Sequence, residues 1–173
     1  LNTIQAGIIV NGGSGTITYT KLTGTATNLA ANTADIVDGI AVTIDESGAA
    51  STYATVAQID TLKTRVAAVS NASLSYEKLN DSATNLAAGT TSYLAGKAIT
   101  IDDTNNAAAT ATELNTIQEK MGRSGSVTYA KLTDSATNLV VNIADIVAGV
   151  AVIITDTGVN TCLLYTSPSP RDK

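Results

Sequence analysis

The fold follows from one stretch, SYEKLNDSATNL at residues 75–86, which occurs in three versions along the chain. The other versions are TYTKLTGTATNL at residues 18–29 and TYAKLTDSATNL at residues 128–139. Successive copies begin 57 and then 53 residues apart. A repeat of this length indicates structural units that each bury their apolar side against the next unit.

A second short element lies between these copies and divides each repeat into two halves of about 28 residues. It reads IAVTID at residues 40–45, KAITID at 97–102 and VAVIIT at 150–155. Both elements contain alternating apolar residues, the pattern of a half-buried strand. Six strands are predicted, with these inward pairs: Ile17 and Tyr19, Val42 and Ile44, Leu74 and Tyr76, Ile99 and Ile101, Val127 and Tyr129, Val152 and Ile154.

A helix is predicted after each strand, because the apolar spacing changes to three and four residues. One helix class begins at predicted N-caps Thr25, Ser82 and Ser135, or at the aspartates just before two of them, Asp81 and Asp134. Equivalent glycines follow its apolar stripe, where a left-handed residue closes a helix: Gly39, Gly96 and Gly149. The stripe of the other class is Leu1, Ile4 and Ile8, then Ile59, Leu62 and Val66, then Leu114, Ile117 and Met121.

Strands that alternate with helices are joined by right-handed crossovers and run parallel. We therefore expect an α/β fold: an open right-handed solenoid of six strand-helix coils, with one parallel sheet and helices on one side. Residues 1–161 are predicted to form it, with double repeats near 1–58, 59–113 and 114–161. Each coil then packs only on its neighbours, so neighbouring repeats of the same parent chain are the expected partners.

The last twelve residues, CLLYTSPSPRDK at 162–173, differ from the rest in composition. They hold the chain's one Cys, Cys162, and its two Pro, Pro168 and Pro170. Residues 162–172 resemble the in-frame translation of a transposase-type sequencing-library adapter. We expect residues 162–173 to be a non-native, disordered tail, and the sequence to be a piece of a longer parent protein.

Composition excludes several functions for residues 1–161. The chain has no His and its Cys lies in the tail, which excludes imidazole and thiol chemistry and soft metal sites. The 10 Lys and Arg and 15 Asp and Glu of the whole chain become 8 and 14 once Arg171, Asp172 and Lys173 are set aside. This acidic balance argues against nucleic acid as a partner. Apolar runs stay well below the ~20 residues needed for membrane insertion, and we expect neither enzyme activity nor a cofactor.

Two recurring motifs resemble a known class of repeat. They are DSATNL at residues 81–86 and 134–139, and the strand motif ITID at residues 99–102. Together they resemble the "tDtaanLa … ItvtDt" repeats of very large secreted or surface proteins of bacteria, which often occur beside calcium-binding nonapeptide repeats. The resemblance covers residues 1–161 and implies a solenoid that is extracellular or at the cell surface. Gly24 departs from it by replacing Asp81 and Asp134 of the other copies, and the calcium-binding nonapeptide itself is absent.

Hydroxyl residues recur on the outward face of the predicted sheet. In a parallel stack with ~4.8 Å spacing they would form a ladder able to bind ice or a crystalline glycan. The simpler interpretation is that Thr favours strands and tolerates water on one side. The predicted ladder residues are Thr18, Thr43, Ser75, Thr100 and Thr128.

Carboxylates follow the strands at equivalent turns. Stacked carboxylates can bind a hard cation such as Ca²⁺ between coils, whereas the simpler interpretation is solvated turn or helix-capping residues. A glycosidase carboxylate pair is disfavoured, because a pair repeated in every turn is poor evidence for one active site. The Ca²⁺ candidates are Asp45, Glu46, Asp102, Asp103 and Asp156.

The leading hypothesis is a non-catalytic structural segment, such as a spacer, surface-layer piece or adhesin stalk, of a large exported bacterial protein. The alternative is a binding module that uses the Thr/Ser face or the acidic turns for a glycan, a solid surface or Ca²⁺.

Overall fold

The computed structural model describes residues 17–122 and 124–156, which form an α/β arrangement of parallel strands and short helices. The strands are β1 (Lys21–Gly24), β2 (Ala41–Ile44), β3 (Ser73–Ser75), β4 (Lys78–Asp81), β5 (Ala98–Ile101), β6 (Ser126–Thr128), β7 (Lys131–Asp134) and β8 (Ala151–Ile154). The α-helices are α1 (Ala26–Ala31), α2 (Val56–Ala67), α3 (Ala83–Ala88), α4 (Thr91–Leu94), α5 (Ala111–Met121) and α6 (Ala136–Val141). In this part of the chain, no sheet closes into a barrel.

The strands pair in three small parallel sheets, ordered β1-β2-β3, β4-β5-β6 and β7-β8. In the first sheet, the register places Val42 between Leu22 and Leu74. In the second, Ile99 lies between Leu79 and Val127. Equivalent residues of each repeat therefore occupy adjacent positions on the inner face, where Val42, Leu79 and Ile99 are buried.

The expected single sheet is divided, because the chain bends between β3 and β4 and again between β6 and β7. β3 pairs with β2, whereas β4, which starts three residues after β3 ends, pairs with β5. The N–H groups of Glu77 and Lys78 at the first bend donate to the carboxylate of Glu46 instead of to a strand carbonyl. An isolated bridge from Ala54 to Leu79 still joins β4 to the segment that follows β2.

Three strands lie where the sequence did not predict them. β1, β4 and β7 read KLTG, KLND and KLTD, and each contributes one inward apolar residue: Leu22, Leu79 and Leu132. One apolar residue gives no alternation to detect, so the sequence pattern missed these strands. The strand predicted around Ile17 and Tyr19 was wrong, since both residues precede β1 and lie outside any strand.

The second helix class, α2 and α5, has the predicted apolar stripe. Ile59 and Leu62 of α2, and Leu114 and Ile117 of α5, are completely buried. Each helix begins with a capping box in which a Thr hydroxyl and a Gln or Glu side chain exchange hydrogen bonds with the backbone. The predicted stripe Leu1, Ile4 and Ile8 lies outside the described residues.

The first helix class, α1, α3 and α6, is shorter than predicted. Its N-caps are confirmed, since the hydroxyls of Thr25, Ser82 and Ser135 accept from the N–H groups of Asn28, Asn85 and Asn138. α1 ends at Ala31 because the side chain of Asn32 donates to the carbonyl of Asn28, and a 3₁₀ turn, Thr33–Asp35, follows. The predicted glycines have positive φ angles of 74°, 71° and 88° at the turn before the next strand: Gly39, Gly96 and Gly149.

The apolar core continues from Ala26 to Leu139. Beyond it, the predicted inward pair of β8 is not buried: Val152 and Ile154 are 38% and 61% exposed, whereas the equivalent Val42 and Ile44 are 1% and 3% exposed. The difference arises because β3 covers β2, while no described strand lies on the outer side of β8.

Candidate functional site

Two of the predicted Ca²⁺ ligands, Glu46 and Asp103, bind backbone N–H groups of the next repeat unit. The carboxylate of Glu46 accepts from the N–H groups of Glu77 and Lys78, both at 2.8 Å. The carboxylate of Asp103 accepts from those of Ala130 and Lys131 at 2.7 and 2.6 Å. We call this arrangement the carboxylate clamp. It satisfies two N–H groups at each bend that have no strand carbonyl as partner.

A lysine completes each carboxylate clamp. The ammonium group of Lys131 donates to the carbonyl oxygen of Asp103 at 2.8 Å, and that of Lys78 donates to the carbonyl oxygen of Glu46 at 3.4 Å. Lys78 also lies 4.8 Å above the ring of Tyr53, a favourable position for a cation. The sequence pattern predicted no role for these lysines, although both occupy the same place in the recurring KL motif.

Asp45 and Asp102 instead stabilise their own turns. Asp45 accepts from the N–H of Ser47 at 3.1 Å, and Asp102 from the N–H groups of Thr104 and Asn105. Hydrogen bonds from Ser47, first from its side chain and then from its backbone, lower the pKa of Asp45. These are the solvated turn residues of the simpler interpretation.

Asp156, the fifth candidate, accepts from the N–H of Ala136 at the start of α6, at 3.1 and 3.2 Å. Asp81 binds the N–H of Val56 at the start of α2 in the same way, at 3.0 Å. A carboxylate at a helix N-terminus offsets the positive end of the helix dipole and satisfies a free N–H group. These contacts join each strand end to the preceding helix.

Asp81 and Asp134 also organise the helix that follows them. The Oδ1 atom of Asp134 accepts from the N–H of Ser135 and from the side-chain amide of Asn138, both at 2.8 Å. Asp81 makes the same two bonds with Ser82 and Asn85. The bond from Asn138 is the main cause that lowers the pKa of Asp134. Both aspartates are the alternative N-caps predicted from the sequence.

The candidate carboxylates are not brought together as a metal site. Within residues 17–122 and 124–156, no group of three His, Cys, Asp or Glu side chains is placed to share a metal ion. All five candidates accept backbone N–H groups, as described above. Ca²⁺ binding at these turns stays a prediction.

Cations in the last turns of the second helix class form another contact that the sequence analysis missed. Arg65 of α2 donates to the carbonyls of Thr33 and Ile36, at distances of 2.7 to 3.0 Å. Lys120 of α5 donates to the carbonyls of Ala87 and Gly89. The two cations occupy equivalent positions, one residue before Val66 and Met121, so the repeat itself was the available signal.

The recurring tyrosines bind carbonyls within their own repeat. The hydroxyls of Tyr19, Tyr76 and Tyr129 donate to the carbonyls of Asp35, Tyr93 and Asp145. Tyr76 is 5% exposed, and burial is the main cause that raises its pKa to about 12. These columns therefore meet packing and backbone hydrogen-bonding needs.

The predicted hydroxyl ladder is present in two short pieces. Thr43 lies between Thr23 and Ser75 in the register, and Thr100 lies between Asn80 and Thr128. Thr18 was placed wrongly, since it precedes β1. The bend between β3 and β4 separates Ser75 from Asn80, so the two pieces belong to different sheets.

Among the described residues, no helix has the length and apolar character needed to cross a bilayer. Comparison with family models, curated proteins and solved structures finds no match to this chain. The class of protein therefore rests on the fold alone, an α/β protein with small parallel sheets.

Proposed function

We propose that this chain is a non-catalytic structural segment, a solenoid spacer or stalk of a large exported bacterial protein. The observation that carries the proposal is the repeated use of charged side chains to join one repeat unit to the next. Glu46 and Asp103 form carboxylate clamps, and Arg65 and Lys120 bind carbonyls of the preceding helical segment.

The order of contacts along the chain supports stacking as a solenoid. Strands pair in chain order within each sheet, and the bridges Ala54 to Leu79 and Ala109 to Leu132 join β4 and β7 to the segments that follow β2 and β5. The helices follow the same order, since α2 packs on α1 and α5 packs on α3 and α4. Units that contact only their neighbours can be added without altering the others, which suits a spacer.

Solution scattering of a lengthened chain tests this proposal. A second copy of residues 59–113 inserted after residue 113 adds two coils, so the longest dimension should grow by about 10 Å at ~4.8 Å per strand. The cross-section should stay constant. A Gly/Ser insert of the same length is the matched control and should give a flexible loop. A larger cross-section for the repeat insert would overturn the solenoid.

Export rests on the resemblance to repeats of secreted and surface proteins. Sequencing the parent gene tests it directly. We expect an export signal at its start and further repeats beside this segment. A parent gene with neither feature would contradict the proposal.

A second candidate function is binding through the hydroxyl ladder, favoured by the in-register pairs Thr43 with Ser75 and Thr100 with Thr128. Crystalline cellulose and growing ice are suitable probes of an ordered surface. Binding should be lost with Thr43→Lys and Thr100→Lys and kept with Thr137→Lys on α6. Absence of binding by the parent chain would end this candidate.

A further inference from the structure

We propose that the exposed apolar face at the C-terminal end of the described fold, formed by α6 and β8, binds residues 1–19 of a second copy of this chain. We call it the end face and define it by Val140, Val152 and Ile154. The result would be head-to-tail association. The inference rests on the stacking of repeat units proposed above.

Among the described residues, no strand or second-class helix covers the end face. Val140, Val152 and Ile154 are 70%, 38% and 61% exposed. In the two earlier repeats the equivalent surface is covered by a helix of the second class and the strand after it: α2 and β3 in the first repeat, α5 and β6 in the second. An element that covers the end face as in the earlier repeats therefore has a defined type, a second-class helix followed by a short strand.

Residues 1–19 have the sequence of that element. Residues 1–5, LNTIQ, are identical to residues 114–118 of α5. Leu114 and Ile117 of that stretch are completely buried where α5 packs on α3 and α4. Residues 15–19, GTITY, match GSVTY at residues 125–129, which include β6.

The opposite end of the described fold lacks the complementary partner. β3 and β6 each pair with the preceding strand, β2 or β5. Ile17 to Tyr19 have the matching sequence but no strand partner among the described residues. By the register of Val42 with Leu74, Ile17 of one copy would lie beside Val152 of the other.

One polar contact between units is not reproduced at the proposed junction. Lys120 of α5 donates to the backbone carbonyl of Ala87, whereas the residue equivalent to Lys120 within residues 1–19 is Gly7. The junction would therefore depend on the burial of apolar side chains, among them Val140, the residue equivalent to Ala87 in α6.

Sedimentation velocity of the full chain from 5 to 500 µM tests the inference. The parent should form an open series of species, because a head-to-tail contact does not close. Ile4→Asp and Ile154→Asp should each weaken association at least tenfold. The controls are Ala6→Asp, equivalent to exposed Glu119, and Ile153→Asp, whose side chain points to the opposite face of β8; both should associate as the parent does.

Mixing the two disrupted variants distinguishes this specific junction from non-specific association of apolar surfaces. The Ile4→Asp chain keeps an intact end face and the Ile154→Asp chain keeps intact residues 1–19, so the mixture should form dimers and nothing larger. A parent that stays monomeric at 500 µM would overturn the inference, including the case in which residues 157–173 cover the end face. Undiminished association of Ile154→Asp, or large species in the mixture, would overturn it as well.

Discussion

Asp103 and Lys131 are joined by two hydrogen bonds, one to the side chain of Asp103 and one from the side chain of Lys131. The carboxylate of Asp103 accepts from the backbone N–H of Lys131 at 2.6 Å, and the Lys131 ammonium group donates to the Asp103 carbonyl at 2.8 Å. Asp103 is 4% exposed, the one buried charged residue among those described. The contact fixes two segments that are 28 residues apart.

Removing this carboxylate should destabilise the chain strongly. Asp103→Ala leaves the N–H groups of Ala130 and Lys131 without their acceptor, which costs about 2–4 kcal/mol for charge-assisted bonds at a buried site. Urea unfolding followed by circular dichroism measures the loss. Asp102→Ala, which affects only a local turn, is the matched control and should cost about 0.5 kcal/mol. Equal losses for the two variants would contradict the role given to the carboxylate clamp.

Alkaline pH should destabilise the fold through Tyr76. Burial raises the pKa of this phenol to about 12 from 10.0, so the folded state holds the proton more tightly than the unfolded state. Its contribution to the free energy of unfolding is complete below pH 10 and is lost as pH rises through 12, about 3 kcal/mol in all. Urea midpoints at pH 9, 10, 11 and 12 should therefore fall less steeply for Tyr76→Phe than for the parent. Equal slopes for Tyr76→Phe and the parent would contradict this role for the buried phenol.

Gly24→Asp should stabilise the first repeat. Asp81 and Asp134 occupy this position in the other copies and each bind the N-cap N–H and an Asn side chain. Thr25 and Asn28 offer the same donors in the first copy. A Cβ at residue 24 would lie 3.5 Å from Leu29, an ordinary contact. The expected gain is about 1 kcal/mol, measured by thermal unfolding.

Gly24→Ala is the control for the loss of glycine flexibility and should give about half of that gain. A Gly24→Asp chain no more stable than Gly24→Ala would show that the carboxylate does not reach its donors.

Acid should weaken the third repeat through Asp134. Its pKa is lowered, chiefly by the side-chain hydrogen bond from Asn138. Its contribution to the free energy of unfolding is therefore present above about pH 4 and is lost as pH falls through the pKa of the folded state. Asn138→Ala should reduce the loss of stability between pH 4 and pH 2, by about 0.5 kcal/mol for a solvent-screened group. Thr137→Ala, beside it on α6, should leave the acid slope unchanged. An identical slope for all three chains would contradict the assignment.

Local pattern was sufficient to predict the second helix class and its buried stripe. Ile59 and Leu62, and their counterparts in α5, follow the helical period within a few residues, and the hydroxyl N-caps and positive-φ glycines depend on equally local geometry. The coarse α/β class with parallel strands followed from the alternation of these elements. The single sheet did not, because the bend at Tyr76 and Glu77 depends on Glu46, some 30 residues earlier.

The candidate site shows the same limit. The carboxylates at positions 46 and 103 were identified from their repeated place after a strand. Their hydrogen-bond donors are backbone N–H groups of a distant segment, and backbone groups carry no sequence signal. Thr18 was placed in the ladder because its copy matches Ser75. The register shows that Thr23 is the residue beside Thr43.

The carboxylate clamp has a consequence for how such a chain can change in length. Deleting residues 47–103 would bring Glu46 before Thr104, where it would face the N–H groups of Ala130 and Lys131 in place of those of Glu77 and Lys78. Both junctions offer the same donors to the same kind of acceptor. We expect unequal recombination between repeats to yield shorter or longer chains that fold at once, without new mutations at the join. A deletion chain that melts as cooperatively as the parent would support this view, and an unfolded one would contradict it.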